Sequence, residues 1–426
     1  MQKIGHDVIV FSGYPNNAKK IAAHPSRNHR YEYNGITVYR YLHPPMSVKK
    51  NLNSFTPEYN NLDAKTFFNN IVDSFMPDIV HFFHFQRVSF SLVDACIDKN
   101  IPTVFTPTDF WFECPTAQLI YSDMTPCMGP DQYAGNCIRH LTELHVFKLP
   151  ILKRSIGACP KQLFALVSII ASLDIYKYSR LLNFVRSFLK RKDFIKERLN
   201  RIGCILVPNR RLRSRLEQFT GASENLQDLP FGIDTPVANP KPKRTKLVVG
   251  FIGTLRPHKG AHIFLQSVKL LSRKLDIEAL LYGKWDTFQN YDRKLKKLVA
   301  TDGRIKYEGT FQLENINNIF SNLDALVIPS LWMENTPLIA YYAQNYKCPI
   351  LSSRIEGMAD IVQHKNNGLF FEPGSAEELA ECLKQIYTDR EFLTMLSSNS
   401  ISPLRMSEYA QAVEKVYVKL AVRNSS

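Results

Sequence analysis

The sequence predicts an α/β protein built from parallel sheets covered by helices and divided into two domains. Short apolar runs rich in β-branched and aromatic residues alternate with longer amphipathic stretches, the pattern of strands linked by crossover helices. The chain of 426 residues is too long for one compact core and of suitable length for two α/β domains. Between Asn239 and Lys246 the run Asn-Pro-Lys-Pro-Lys-Arg-Thr-Lys breaks every periodicity, so the linker is placed at 239–246. An N-terminal domain then spans 1–238, a C-terminal domain 247–403, and a last helix 404–426 is expected to return to the N-terminal domain.

The expected strands are Asp7 to Phe11, Asp78 to Phe83, Pro102 to Thr106, Cys204 to Val207, Leu247 to Ile252, Glu278 to Tyr282, Ala325 to Ile328 and Pro349 to Ser352. Several stop at Pro, Gly or Ser, where the chain turns. The stretch from Lys148 to Arg201 differs in character: it joins the apolar run Leu163 to Leu173 to a dense set of Arg and Lys, predicting a helical, basic insertion with one apolar face. Such helices can lie in a membrane interface, and the plainer alternative is a core helix beside a solvated basic one.

A net charge of +15 draws the protein toward something anionic: a phosphorylated substrate, a membrane surface or nucleic acid. Nucleic acid is not expected, because no recognition motif or interleaved aromatic and basic stripe accompanies the charge. With no secretory signal and no run of 18 apolar residues, the sequence predicts a cytoplasmic protein, with the inner membrane face as a peripheral location. Eight cysteines in that setting read as reduced thiols or metal ligands. Cys114, Cys127, Cys137 and His140 offer three thiolates and an imidazole, a closed set for structural zinc, against the alternative of plain buried thiols. Trp111 and Phe112 beside them are expected to pack.

The C-terminal half carries the chemistry most clearly. Gly250-Phe-Ile-Gly-Thr-Leu-Arg-Pro-His-Lys-Gly260 follows a strand and precedes the amphipathic helix Ala261 to Leu271, which sets backbone N–H groups and a positive dipole end where phosphate can sit. Arg256 and Lys259 add cations for a diphosphate; the alternative is a surface turn with incidental charge. Farther on, Glu334 stands just past a strand, at the carboxyl edge of a parallel sheet, where open α/β sheets bind ligands. A carboxylate there accepts hydrogen bonds from sugar hydroxyls.

The order Gly-x-x-x-x-x-Lys-Gly (253–260), Leu-Tyr-Gly-Lys (281–284), Ile-Lys-Tyr-Glu-Gly-Thr-Phe (305–311), Asp-Ala-Leu-Val-Ile-Pro-Ser (324–330), Trp-Met-Glu-Asn-Thr-Pro-Leu (332–338) and Gly-Leu-Phe-Phe-Glu-Pro-Gly (368–374) resembles glycosyltransferase family 4 over Lys246 to Leu383. The resemblance implies the GT-B fold, two Rossmann-like domains facing each other across a cleft. It implies transfer of a sugar from a nucleotide-diphosphate-sugar to a hydroxyl of a carbohydrate or lipid-linked acceptor, with retention of stereochemistry, in polysaccharide or glycolipid synthesis. The resemblance also implies that no cofactor is required and that no metal is used in catalysis.

By position, Lys259 would hold the donor diphosphate and Glu334 the donor-sugar hydroxyls, with Gly253, Thr254 and Arg256 in the phosphate loop. The backbone of Asn335, Thr336, Leu338 and Ile339 would face sugar and phosphate, Gly283 would also bind the donor, and the segment Tyr307, Gly309, Thr310, Phe311 would surround the base. Two positions depart from the family pattern: Thr254 replaces an arginine, leaving Arg256 to supply that cation, and Tyr342 replaces a ribose-binding glutamate. In the acceptor half the resemblance gives a catalytic role to His81 or His84 at the end of one strand, with Asp109 after the next as partner. Family members begin with a strand and glycine-rich loop upstream of a segment like Gly5 to Val10, so an incomplete N-terminal domain is expected. The competing expectation is therefore a truncated or non-catalytic relative that binds nucleotide or a partner without transfer.

Overall fold

The computed structural model describes residues 1–14, 28–43, 54–145, 159–173, 179–234, 241–242, 244–285 and 289–425. In the C-terminal half six strands, β8 (Leu247–Ile252), β9 (Ile277–Tyr282), β10 (Ile305–Gly309), β11 (Ala325–Ile328), β12 (Ile350–Ser353) and β13 (Gly368–Phe371), form one sheet of order β10-β9-β8-β11-β12-β13. Every ladder in it is parallel. Alternate side chains of a strand point to opposite faces, and the two faces bury separate cores. Leu247, Val249 and Phe251 join Leu281 and Val327 in one. Val248, Leu280 and Leu326 join Phe320 and Met358 in the other. This two-sided burial is why the strands read as continuous apolar runs.

The N-terminal half holds two sheets among the described residues. One has the order β1-β3-β2, with β1 (Ile9–Gly13) parallel to β3 (Ile36–Tyr41) and β2 (Asn28–Tyr33) antiparallel to β3. The other is parallel, with the order β4 (Val80–Phe82), β5 (Thr103–Phe105), β6 (Cys204–Val207), β7 (Leu226–Asp228). Helix α1 (Leu62–Phe75) packs against both sheets, since Phe68 touches Phe11 of β1 and Phe82 of β4.

The first strand runs from Ile9 to Gly13 rather than from Asp7, because Ile9 to Gly13 are the residues that pair with Thr37 to Tyr41. The β2–β3 hairpin was not expected, although Asn34-Gly35 signals it: both residues have positive φ, 50° and 74°, as a primed two-residue turn requires.

Helix α3 (Gly135–His145) precedes the basic insertion, whose described residues form α4 (Lys161–Ser172) and α5 (Arg180–Arg201); residues 146–158 and 174–178 lie outside the described residues. Helix α5 is a core helix, burying Val185, Phe188, Ile195 and Leu199 and exposing Lys190 and Lys192. The last helix, α12 (Met406–Ser425), lies on the N-terminal half, where Val413 and Val416 pack with Val104 and Leu206. Of the proline- and lysine-rich break, positions 239, 240 and 243 lie outside the described residues. Arg244 and Lys246 form ion pairs with Asp324 and Glu278 of the C-terminal half.

Candidate functional site

In the six-stranded sheet the chain order reverses between β8 and β11, the place where open α/β sheets bind ligands, and the loops leaving the carboxyl ends of these two strands lie side by side. The loop after β8 runs through Gly253, exposed Thr254 and partly buried Arg256 into a 3₁₀ turn at Pro257–Lys259, then into α7 (Ala261–Leu270). Gly260 sits at φ 72°, and a Cβ there would overlap the Pro329 carbonyl oxygen. Only glycine lets the two loops approach this closely.

That approach brings Lys259 to Glu334. The ammonium lies 2.7 and 2.9 Å from the two carboxylate oxygens, and Ser330 donates its hydroxyl to one of them at 2.6 Å. Glu334 is 3% exposed, and Lys259 also lies 5.0 Å from the centre of the Trp332 ring. Burying a carboxyl group is costly unless partners of this kind hydrogen-bond it. His258, packed against Trp332, is pushed down to about 4 by burial and by the neighbouring Lys259, so it is neutral near pH 7. Helix α9 (Leu338–Asn345) starts after Pro337 without a side-chain cap, with exposed Leu338 and partly buried Ile339 in its first turn. Tyr342 lies one turn on; burial, and then the Asp234 charge, raise its hydroxyl, which stays a neutral donor.

The proposed base segment forms a second wall. Tyr307 donates to the Gly283 carbonyl at 2.8 Å and packs against Trp285, ring centres 4.4 Å apart. Gly309, at φ 75°, accepts from the Gly283 N–H at 2.8 Å; Thr310 is exposed, and Phe311 packs edge-on to Tyr282. A Cβ at Gly283 would overlap the Gly253 carbonyl, which ties this wall to the phosphate loop.

The acceptor-side residues separate into two roles. His84, just past β4, and Asp109, past β5, form a pair at 2.6 Å, with Asp109 also accepting from the Trp111 N–H. The His84 Nδ1 accepts the Gln86 N–H at 2.9 Å, which assigns the ring proton to Nε2, facing Asp109. His81 instead turns to the last helix: Nδ1 meets the Tyr417 hydroxyl at 2.6 Å and Nε2 the Thr106 hydroxyl at 2.8 Å, and burial pushes the imidazole down to about 3. Both of its nitrogens are occupied in holding β4, β5 and α12 together.

The two halves touch beside Glu334. Asn335 donates to the Pro107 carbonyl, two residues before Asp109, at 3.3 Å. Asn209, the cap of α6 (Arg210–Thr220), donates to the Asn335 carbonyl and side-chain oxygen at 2.7 Å and to the Thr336 hydroxyl at 2.8 Å. Arg211 pairs with Glu356, and the Arg210 N–H reaches Asp360. Sequence reasoning missed Asn209, Ser330, Trp332 and Trp285. Asn209 was the most accessible of these, since it follows the carboxyl end of β6.

Cys114, Cys127 and Cys137 are buried and free, and burial, then the neighbouring Cys114, raises the Cys127 and Cys137 thiols. His140 lies against the Tyr121 ring. Among the described residues no three His, Cys, Asp or Glu side chains are arranged to hold a metal ion. Trp111 and Phe112 are buried, and the Trp111, Phe112 and Glu113 carbonyls accept from the guanidinium of Arg191.

Residues 235–402 match the family described as Glycosyl transferases group 1, so the C-terminal half carries a domain of that family. YtcC of Bacillus subtilis, itself an inferred glycosyltransferase, is 25% identical over 162 residues, 36% of this chain and 40% of that protein. The capsular polysaccharide biosynthesis glycosyltransferase CapM of Staphylococcus aureus is 20% identical over 183 residues, 42% of this chain and 47% of CapM. The chain thus spans less than half the length of either relative. The crystal structure of Anabaena Alr3699/HepE in complex with UDP superposes with a TM-score of 0.63 at 14% identity, covering 97% of this chain and all of that one. The fold is therefore that of the GT-B glycosyltransferases, two Rossmann-like domains about a cleft.

Proposed function

We propose that this chain transfers a sugar from a nucleotide-diphosphate-sugar to a hydroxyl of a carbohydrate or lipid-linked acceptor, with retention at the anomeric carbon and without a metal or cofactor. The observation that carries the reading is the Lys259–Glu334–Ser330 cluster at the strand-order reversal. An ammonium, a glycine-rich turn and an uncapped helix start suit a diphosphate, and a fixed carboxylate suits sugar hydroxyls. On donor binding Lys259 would pass from Glu334 to the phosphates, freeing Glu334 for the sugar.

In the transfer, the bond from the anomeric carbon to the diphosphate oxygen breaks and the bond to the acceptor oxygen forms on the same face. The acceptor proton goes to the departing phosphate. His84 has no free nitrogen lone pair for that proton, since Gln86 and Asp109 engage both ring positions, which supports a leaving group acting as its own base. Lys259, Arg256 and the α9 start would stabilise the charge on the leaving diphosphate. The capsular polysaccharide role of CapM supports a polysaccharide product.

The occupied His84 also favours a second reading, nucleotide binding without transfer. Thermal-shift measurements with UDP, GDP, ADP and their sugars test the first step, because a ligand that binds the folded state raises the melting temperature. One nucleotide is expected to stabilise the parent and to bind about 10- to 100-fold more weakly to Lys259→Ala, the loss of one charge-assisted contact. A stabilising nucleotide-sugar that is never turned over on any acceptor would select the second reading; no stabilisation by any nucleotide would overturn both.

A further inference from the structure

Helix α4 has apolar side chains on two opposite sides, and the described residues cover one of them. Phe164, Val167 and Ala171 pack into the N-terminal core between α3 and α5. On the opposite arc Leu163, Leu166, Ile169 and Leu173 are 54, 52, 36 and 51% exposed. At 100° per residue these positions form one continuous stripe. Soluble surfaces rarely display aligned large aliphatics over three turns.

We propose that this stripe lies in the interface of an anionic phospholipid bilayer and anchors the N-terminal half to it. Twelve residues at 1.5 Å each make a helix about 18 Å long, too short to cross the hydrocarbon core, and among the described residues no helix is long and apolar enough to do so. A helix of this kind lies in the plane of the surface with its apolar arc among the acyl chains.

Charge selects the occupant. Residues 148–201 hold thirteen Lys and Arg against three Asp and Glu, which is ten of the protein's fifteen net positive charges. Lys161 at the start of α4 and Lys190 and Lys192 on the adjoining α5 are exposed. An anionic surface complements that charge, and each basic residue near it strengthens binding several-fold. A second copy meeting the same face would set like charges against each other. The anchor stands apart from the donor site, so it is tested without reference to transfer.

The test is flotation of the full chain with vesicles of phosphatidylcholine alone and of phosphatidylcholine mixed with phosphatidylglycerol. The parent is expected to float with the anionic vesicles at least about tenfold more than with neutral ones, and less so as salt is raised. Leu166→Asp with Ile169→Asp is expected to lower binding at least about tenfold, from the loss of two apolar insertions. Lys190→Gln with Lys192→Gln should lower it several-fold. Nucleotide stabilisation and melting temperature should be unchanged in all of these. Should the aspartates impair folding, Leu166→Trp gives a direct readout: emission of the new tryptophan shifts to the blue on anionic vesicles. The proposal is overturned by absence of anionic binding, by binding that the aspartates leave intact, by no blue shift, or by a parent dimer that the aspartates convert to a monomer.

Discussion

The two halves build their cleft walls in opposite ways. In the C-terminal half one six-stranded sheet sets the geometry, and the charged pair Lys259–Glu334 sits in two strand-end loops held together at Gly260. Among the described residues of the N-terminal half the sheet is in two pieces, and the wall bearing His84 and Asp109 is held by groups remote in sequence. Arg191, 80 residues from Trp111, holds three loop carbonyls; Tyr417, 336 residues from His81, closes over β4. The donor wall is thus a local consequence of short segments on a regular frame, and the acceptor wall is an assembly.

The sharpest way to break this contrast is to strike the contact on which the donor wall depends. Gly260→Ala forces a non-glycine residue into φ 72° and a methyl into the Pro329 carbonyl. It is expected to destabilise the C-terminal half by about 3 kcal/mol or more and to abolish nucleotide stabilisation. Trp285 and Trp332 report on this half and Trp111 alone on the other, so a Trp111→Phe background reads it by fluorescence.

The matching change on the acceptor wall is Arg191→Lys. Lysine cannot span three carbonyls as the guanidinium fork does, and a loss of about 3 kcal/mol is expected from carbonyls left unpaired in the core. Trp111 emission should report early unfolding of the N-terminal half while nucleotide affinity stays within a factor of about two, since no contact to the donor loops is removed. Equal damage to both halves would end the distinction.

His81 sharpens it through pH. Its folded-state value of about 3 lies below the ordinary 6.5, so between these values the unfolded chain binds the proton and the folded one does not. Stability is fully present above about pH 6.5 and falls as pH is lowered toward 3, by about 2 kcal/mol at pH 5. His81→Gln is expected to flatten that part of the pH dependence in denaturant unfolding followed at Trp111; an unchanged slope would place the acid sensitivity elsewhere.

The smallest effect falls on the seam between the halves. Asn209→Ala removes the donors to Asn335 and Thr336 and leaves α6 without its cap, which costs about 1 kcal/mol. Asn209→Asp keeps the cap but not the N–H donors. A loss of turnover in both variants, with cap stability lost only in alanine, would assign Asn209 to joining the walls.

How much of this was legible follows from the same contrast. Strands β6, β8 and β11 match their expected limits, because each is buried on both faces and ends at a turn residue. Lys259 and Glu334 were named from segments of a few residues, since a strand end fixes where a loop begins. The partnership between them, 75 positions apart, was not named. Nor was the division of labour between His81 and His84, three residues apart on one strand end. A strand alternates its side chains, so one points into whatever packs below and the other toward the cleft, and only the docked α12 shows which. The sequence by itself determined the layered α/β architecture and the chemistry of the donor loops, because burial periodicity and turn residues act over short distances. The tertiary structure alone decided which charges meet, which histidine is buried and which side of α4 stays uncovered, because those depend on segments brought together by packing from far along the chain.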